Sequence, residues 1–149
     1  MTRATGEGRL NAEAAESAEM RGDDMHENDI GERLIGCAIK VHRTLGPGLL
    51  ESAYEACLGH ELQKAELRFR RQVGLPIEYD GLKIDAGYRL DFLIEDKVVA
   101  ELKSIEQLSP IHVAQLLTYL RLGDFKLGYV FNFNVIELRS GIKRVVNGL

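Results

Sequence analysis

Apolar positions first fall into a regular pattern at Ile30. Ile30, Leu34, Cys37, Val41 and Leu45 recur at steps of three and four, the spacing of one helical face. The pattern predicts a helix from Asp29 to about Thr44. Asp29 and Glu32 open the run and read as a capping box with Asp29 at the N-cap. Gly46-Pro47-Gly48 ends it, because proline removes a donor and glycine accepts unusual dihedrals. A second helix is predicted from about Leu49 to Ala65, with Leu50, Tyr54, Cys57, Leu58 and Leu62 as its apolar stripe.

Beyond residue 67 the period drops to two. Val73, Leu75, Ile77 and Tyr79 alternate with polar or small residues, which predicts a strand. Pro76 assigns that strand to an edge or a bulge. Asp80-Gly81 is a hairpin signal. A second strand is predicted from about Leu82 to Ile94 and a third from Val98 to Ser104, with Glu95-Asp96-Lys97 turning between them. Ser109-Pro110 opens a third helix reaching about Leu122. Gly128–Phe133 reads as a buried strand and Ile142–Val146 as a last one. No internal repeat is found. The order ααβββαββ predicts an α/β fold of α+β-like character, a mixed sheet with helices packed on it.

The chain has 149 residues, enough for one domain with a hydrophobic core. Its net charge of −4 is unevenly spread. Residues 1–27 carry three basic and seven acidic residues, and so account for all of it. They hold almost no β-branched or aromatic residues and are expected to form a disordered or loosely helical acidic tail. Met25 stands just before the first organised segment, so Met25 rather than Met1 is a candidate native start. Residues 28–149 balance 16 basic against 16 acidic residues and are read as the folded domain. A neutral domain can still carry a basic groove, so a phosphate-bearing substrate is compatible with this balance. No apolar run approaches 18 residues, no apolar leader opens the chain, and Cys37 and Cys57 form no CxxC. The expectation is a cytoplasmic protein with no membrane contact, no disulfide framework and no cysteine-ligated zinc. Both cysteines lie on apolar stripes and read as small buried hydrophobes.

The chemistry centres on Asp91 and, after nine intervening residues, on Glu101-Leu102-Lys103. Two carboxylates on adjacent strands can share a hard divalent cation. Lys103 follows Glu101 by two and so shares its face. If Glu95-Asp96-Lys97 is a three-residue turn, Ile94 pairs with Val98 and Asp91 lies opposite Glu101. A two-residue turn would put the carboxylates on opposite faces. The alternative is a solvated, salt-bridged hairpin of little energetic worth. The flanks Leu90, Phe92–Ile94 and Val98–Ala100 argue against it, since buried charges need partners or a metal. Asp124-Phe125-Lys126 repeats the spacing without a hairpin partner.

Three further features accompany this pair. His112, Gln115 and Tyr119 form a polar stripe on the third helix, opposite Leu116, Leu117 and Leu120. Glu51 and Tyr54 stand three apart at the start of the second helix and are expected to face one way. There Glu51 either serves the helix dipole or adds a carboxylate near the metal. Arg68, Arg70 and Arg71, with Lys64 nearby, form a basic cluster. It is either a solvated helix end or, with His112, a rim that tracks phosphates. No P-loop, HExxH or GxSxG is present, which leaves zinc-protease and serine-hydrolase chemistry unsupported.

Gly48, Glu51 and Tyr54 match the signature of the GxxExxY protein family. The resemblance runs from about Asp29 to Val146, through Lys40-Val41-His42, Leu45–Ser52, Tyr79-Asp80-Gly81, Tyr88–Asp91, Glu101-Leu102-Lys103, Ala114–Leu120 and Phe131-Asn132-Phe133. That family is grouped with the PD-(D/E)XK nucleases, which implies a restriction-endonuclease-like mixed sheet flanked by helices. The resemblance implies a metal at Asp91, Glu101 and the Leu102 carbonyl, with Lys103 orienting water or stabilising phosphate charge. Glu51 is similar to an acidic residue that several members carry on an N-terminal helix. Gln115 and Tyr119 resemble the Q-x-x-x-Y helix motif of RecB-like nucleases. No proline precedes Asp91, a departure common in the superfamily. Oxygen ligands favour Mg²⁺ or Mn²⁺. The expectation is a metal-dependent nuclease, acting on DNA ahead of RNA, with a homodimer as one assembly. The alternatives are an inactive nuclease-fold module that binds nucleic acid or a protein, or a purely structural protein.

Overall fold

The computed structural model describes residues 25–149. Most of the expected acidic tail, residues 1–24, and the choice of native start lie outside the described residues. Helix α1 spans Glu27–Leu45. Its N-cap is His26, whose Nδ1 accepts the Asn28 N–H at 2.9 Å. The expected cap at Asp29 is therefore corrected. With the imidazole closing the first turn, Asp29 and Glu27 sit inside it as acids against the positive helix end. Met25, just upstream, is buried, and Lys97 Nζ donates to its carbonyl at 2.7 Å. Gly46 caps the other end at φ 73°, in a region where a side chain is disfavoured, and its N–H donates to His42 O.

Helix α2 spans Glu51–Lys64. Tyr54 Oη donates to Gly46 O at 2.6 Å and accepts the Leu49 N–H at 3.2 Å. Its ring stacks on Phe133 with centroids 4.4 Å apart. The loop between the two helices is thus tied down by a tyrosine from the helix that follows it. Tyr54 is fully buried while Glu51 is exposed, which corrects the expectation that the two face one way. Residues three apart are 300° around the helix, and here the core boundary runs between them.

Five strands stand where three were expected between residues 69 and 104. They are β1 (Phe69–Gly74), β2 (Ile77–Tyr79), β3 (Leu82–Ile84), β4 (Arg89–Ile94) and β5 (Val98–Lys103). The Leu75 N–H still reaches Tyr88 O at 2.8 Å, but Pro76 has no N–H to continue the ladder. On the return side, Gly87 at φ 82° and its N–H to Asp85 Oδ1 make a separate turn. The β2–β3 ribbon therefore stands apart from the main sheet, and the order becomes ααβββββαββ. Helix α3 (Pro110–Gly123), β6 (Leu127–Asn132), a 3₁₀ turn (Leu138–Gly141) and β7 (Ile142–Val146) complete it.

The main sheet has the order β1-β4-β5-β6-β7, with β5 and β6 parallel and the other pairs antiparallel. It is a mixed sheet flanked by three helices, of restriction-endonuclease-like type. Strand β1 is an edge strand, but Pro76 lies beyond its end, so the proline marks a break in the expected strand rather than a position within an edge strand. On one face α1 and α2 bury Ile30, Leu34, Tyr54 and Leu58 against Phe92, Ile94, Ala100, Leu102 and Phe131. On the other, α3 buries Leu116 and Leu120 against Leu90, Leu93, Val99, Val130 and Val145. Each such side chain contributes roughly 1.5–3 kcal/mol of transfer free energy. Covered on both faces, β6 is buried throughout, which is why it reads as an apolar run up to the buried Asn132. Cys37 is buried and Cys57 half-buried, both free, and burial pushes the Cys37 thiol up. No described helix is long and apolar enough to cross a membrane.

Candidate active site

The site forms where β4 and β5 part. Glu95-Asp96-Lys97 is a three-residue turn, with Glu95 and Asp96 both left-handed and the Lys97 N–H closing onto Ile94 O. Ile94 pairs with Val98, Leu93 with Val99 and Phe92 with Ala100. This is the odd-length register in which Asp91 stands opposite Glu101. The ladder itself ends at Phe92. Beyond it, side chains replace backbone partners: Glu101 Oε2 accepts the Asp91 N–H at 2.9 Å, and Asp91 Oδ2 accepts the Leu102 N–H at 2.8 Å. Alternation also breaks here. Leu90 packs in the α3 cluster with Leu93, although a two-residue step from Phe92 would send it to the other face.

Both carboxyls are half-buried beside each other. Burial first, and then the charge of Asp91, push Glu101 up to about 8. Burial also raises Asp91, joined by the charges of Glu55 and Glu51 and opposed by the Leu102 and Gln72 donors. Lys103 lies on the same strand face as Glu101, and its ammonium favours the charged form of that carboxyl. Leu102 points the other way, into the α1–α2 core.

Helix α2 delivers its N-terminus to this fork. Glu51 Oε2 accepts the Ser104 N–H at 3.3 Å, and Ser104 Oγ donates to Leu49 O at 2.6 Å. One turn further, Glu55 faces the site. It is joined to Arg71 at 3.1 Å and to Gln72 Nε2 at 3.1 and 3.2 Å, and Gln72 Nε2 also lies 3.4 Å from Asp91 Oδ1. Glu55 and Gln72 were not singled out in the sequence. Glu55 could have been found as the i+4 neighbour of Glu51. Nothing in the pattern marks Gln72. On the other side, buried Tyr119 is raised by burial and by the Glu101 charge, and its ring lies 6.1 Å from that of half-exposed Tyr88.

Other expected residues lie elsewhere. Gln115 is exposed on α3 and makes no hydrogen bond to either carboxyl. His112 Nδ1 turns back to accept the Ser109 N–H at 3.0 Å, closing the first turn of α3. Arg68 grips the buried Glu95 with two nitrogens at 2.9 and 3.1 Å, and Arg70 pairs with Asp96. Arg68 lies beside Glu95, four residues or roughly 13 Å of strand from Asp91, and Arg70, across from Leu93, turns its side chain to the turn residue Asp96. Only Arg71 reaches the site, through Glu55, with its guanidinium 5.9 Å from the Phe92 ring.

The model of the PD-(D/E)XK nuclease superfamily matches residues 28–145. The chain belongs to that superfamily, whose nucleases generally use divalent metal ions. No curated relative and no solved structure matches it. Among the described residues, no group of three or more His, Cys, Asp or Glu is gathered to hold a metal. The donor set still fits Mg²⁺ or Mn²⁺, because such ions are commonly held by one or two carboxylates plus water and phosphate oxygens. Two adjoining half-buried carboxyls are both raised, and a cation between them would favour their ionised forms.

Proposed function

We propose that this chain is a Mg²⁺- or Mn²⁺-dependent nuclease of the GxxExxY group, hydrolysing phosphodiester bonds of nucleic acid, DNA ahead of RNA. The observation that carries the reading is the Asp91–Glu101 fork. Two adjoining carboxyls, both raised, end a strand ladder beside Lys103, in a chain of nuclease-type superfamily. Asp91 and Glu101 would hold the cation, with the Leu102 carbonyl as a third oxygen. Bound there, the cation supplies Lewis acidity to the phosphoryl oxygen and lowers the pKa of a coordinated water. Lys103 orients that water or balances charge on the phosphate. Glu51 adds negative potential at the mouth, and Tyr119 lies close enough to feel the Glu101 charge.

The test is calorimetric titration of Mg²⁺ and Mn²⁺ into the wild type and Glu101→Ala, alone and with a short uncleavable oligonucleotide, followed by cleavage assays on single- and double-stranded DNA and RNA. Binding lost in Glu101→Ala, together with metal-dependent cleavage, is the expected result. One observation favours a second reading, a silent module that binds nucleic acid. Each carboxyl already has a backbone N–H as partner, Glu101 that of Asp91 and Asp91 that of Leu102. Salt-sensitive oligonucleotide binding with no turnover in either metal would select it.

A further inference from the structure

Gln72 lies on β1 directly across from Asp91. Arg71 pairs with Phe92 and Val73 with Leu90 in one unshifted register, so no residue is inserted between them. Gln72 nonetheless has φ 53°, a left-handed backbone that a glutamine side chain disfavours. The interruption is confined to the one residue that faces Asp91. Its effect is to carry the side-chain amide between two acids, with Nε2 at 3.1 and 3.2 Å from the Glu55 oxygens and 3.4 Å from Asp91 Oδ1.

We propose that Gln72 is a positioning residue, whose left-handed backbone sets a neutral two-proton donor between Glu55 and Asp91 and so holds the Asp91 carboxyl in place for a cation. The proposal rests on the metal-site reading above. An amide suits this task better than a cation. It offers one N–H to each acid and lets them approach, yet leaves the negative field of the site intact. Arg71 already neutralises Glu55 from the outer side, so the inner donor need carry no charge. Strained backbone persists where its surroundings hold it, and it gathers at functional sites. Here the surroundings are the β4 ladder on both sides of Gln72 and the Glu55 carboxylate.

The experiment uses the full chain and two measurements, Mn²⁺ affinity by calorimetry and the thermal midpoint without metal. Gln72→Asn keeps a residue type that tolerates the left-handed region, but its shorter side chain cannot span both acids. The expected result is a loss of Mn²⁺ affinity of about tenfold or more, as for other groups that orient metal ligands, with the midpoint within a few degrees of wild type. Unchanged affinity overturns the proposal. So does a fall of affinity and midpoint together, which would make the tie structural only. If Gln72→Asn does not fold, Gln72→Gly accepts the same backbone and is read in the same way. A wild type that binds no Mn²⁺, alone or with the uncleavable oligonucleotide, overturns the metal-site reading and this proposal with it. That outcome is distinct from retained binding in the variant, which overturns the role of Gln72 alone.

Discussion

Glu101 Oε2 accepts the backbone N–H of Asp91 at 2.9 Å, one strand across from it. That single donor does not offset what surrounds the carboxyl. Burial and the Asp91 charge still push it up to about 8. A carboxyl raised in the folded state holds its proton there after the unfolded chain has released it. The folded form then binds more protons than the unfolded one, so stability falls as pH rises between the ordinary glutamate value and about 8. With divalent cations removed, urea unfolding followed from pH 5 to pH 8 should show this decline, at most about 1.4 kcal/mol per pH unit, the slope one proton sets. Glu101→Gln should flatten it. Stability that rises across this window in the wild type would contradict the assignment.

The same proton competes with a cation. Below about 8, Glu101 must release it to bind Mg²⁺ or Mn²⁺. Apparent affinity should therefore increase with pH, by up to about tenfold per unit, and level off above 8. Calorimetry in two buffers of different ionisation enthalpy would count the proton released. Affinity that is flat from pH 6 to pH 8 would place the ligand elsewhere.

Arg68 and Arg70 were read together as a rim, yet they differ in what they touch. Arg68 meets a fully buried Glu95 side chain, while Arg70 and Asp96 are both exposed. Breaking a buried pair from one side costs about 3–5 kcal/mol, and an exposed pair contributes about 0–1. Glu95 keeps the Arg68 backbone N–H as a donor, and the Arg68 side chain is half-exposed. Arg68→Ala should therefore cost about 2–3 kcal/mol in urea unfolding, below or at the low end of the buried range. Arg70→Ala should cost under about 0.5. If instead both variants keep full stability and lose oligonucleotide affinity equally, the rim reading holds for both.

Tyr54 joins the loop ahead of α2 to the core through Gly46 O, Leu49 N and the Phe133 ring. Tyr54→Phe removes the hydroxyl and leaves the ring, so the Leu49 N–H loses its acceptor. The expected loss is about 1–3 kcal/mol of stability. Because Leu49 O also receives Ser104 Oγ, the loop that carries Glu51 should loosen. Hydrogen exchange at Leu49 and Ser104 would quicken in that variant, while exchange in β6 would move only with global stability.

What could be read from the chain and what could not divide along one physical line. The Glu95-Asp96-Lys97 turn was legible because its polar triple sits between two apolar runs, and its length fixes the Asp91–Glu101 register. Helix spans and the buried β6 were legible from periodicity, which reports burial. Backbone conformation carries no such signal. Gln72 at φ 53° is a glutamine in a position where glycine or asparagine would have been expected. The splitting of two long strands into four turned on Pro76 and Gly87, whose effects depend on which neighbour they lose. His26 displaced Asp29 as cap because a ring nitrogen can accept as an oxygen does, and composition ranks the oxygen first. Glu51 and Tyr54 parted because sequence spacing gives an angle but not where the core edge falls.

Lys103 separates binding from chemistry at the proposed site. It shares the face of Glu101, and its charge favours the ionised carboxyl. Removing that charge should raise Glu101 further and so weaken Mg²⁺ binding near neutral pH. The effect should be small, because Lys103 ranks behind burial and Asp91 in setting that carboxyl. Cleavage should fall far more, by about 10²–10³-fold, the loss seen when a donor to developing charge is removed. Lys103→Ala therefore predicts metal binding within a few-fold of wild type together with near-complete loss of turnover. Lys103→Met, which keeps the stem and removes only the charge, should match it. If Lys103→Ala cleaves at the wild-type rate, this lysine has no part in the chemistry and the proposed mechanism fails at that step. If metal binding and cleavage fall in proportion, Lys103 acts only by keeping Glu101 ionised, and raising the pH to 9 should restore both.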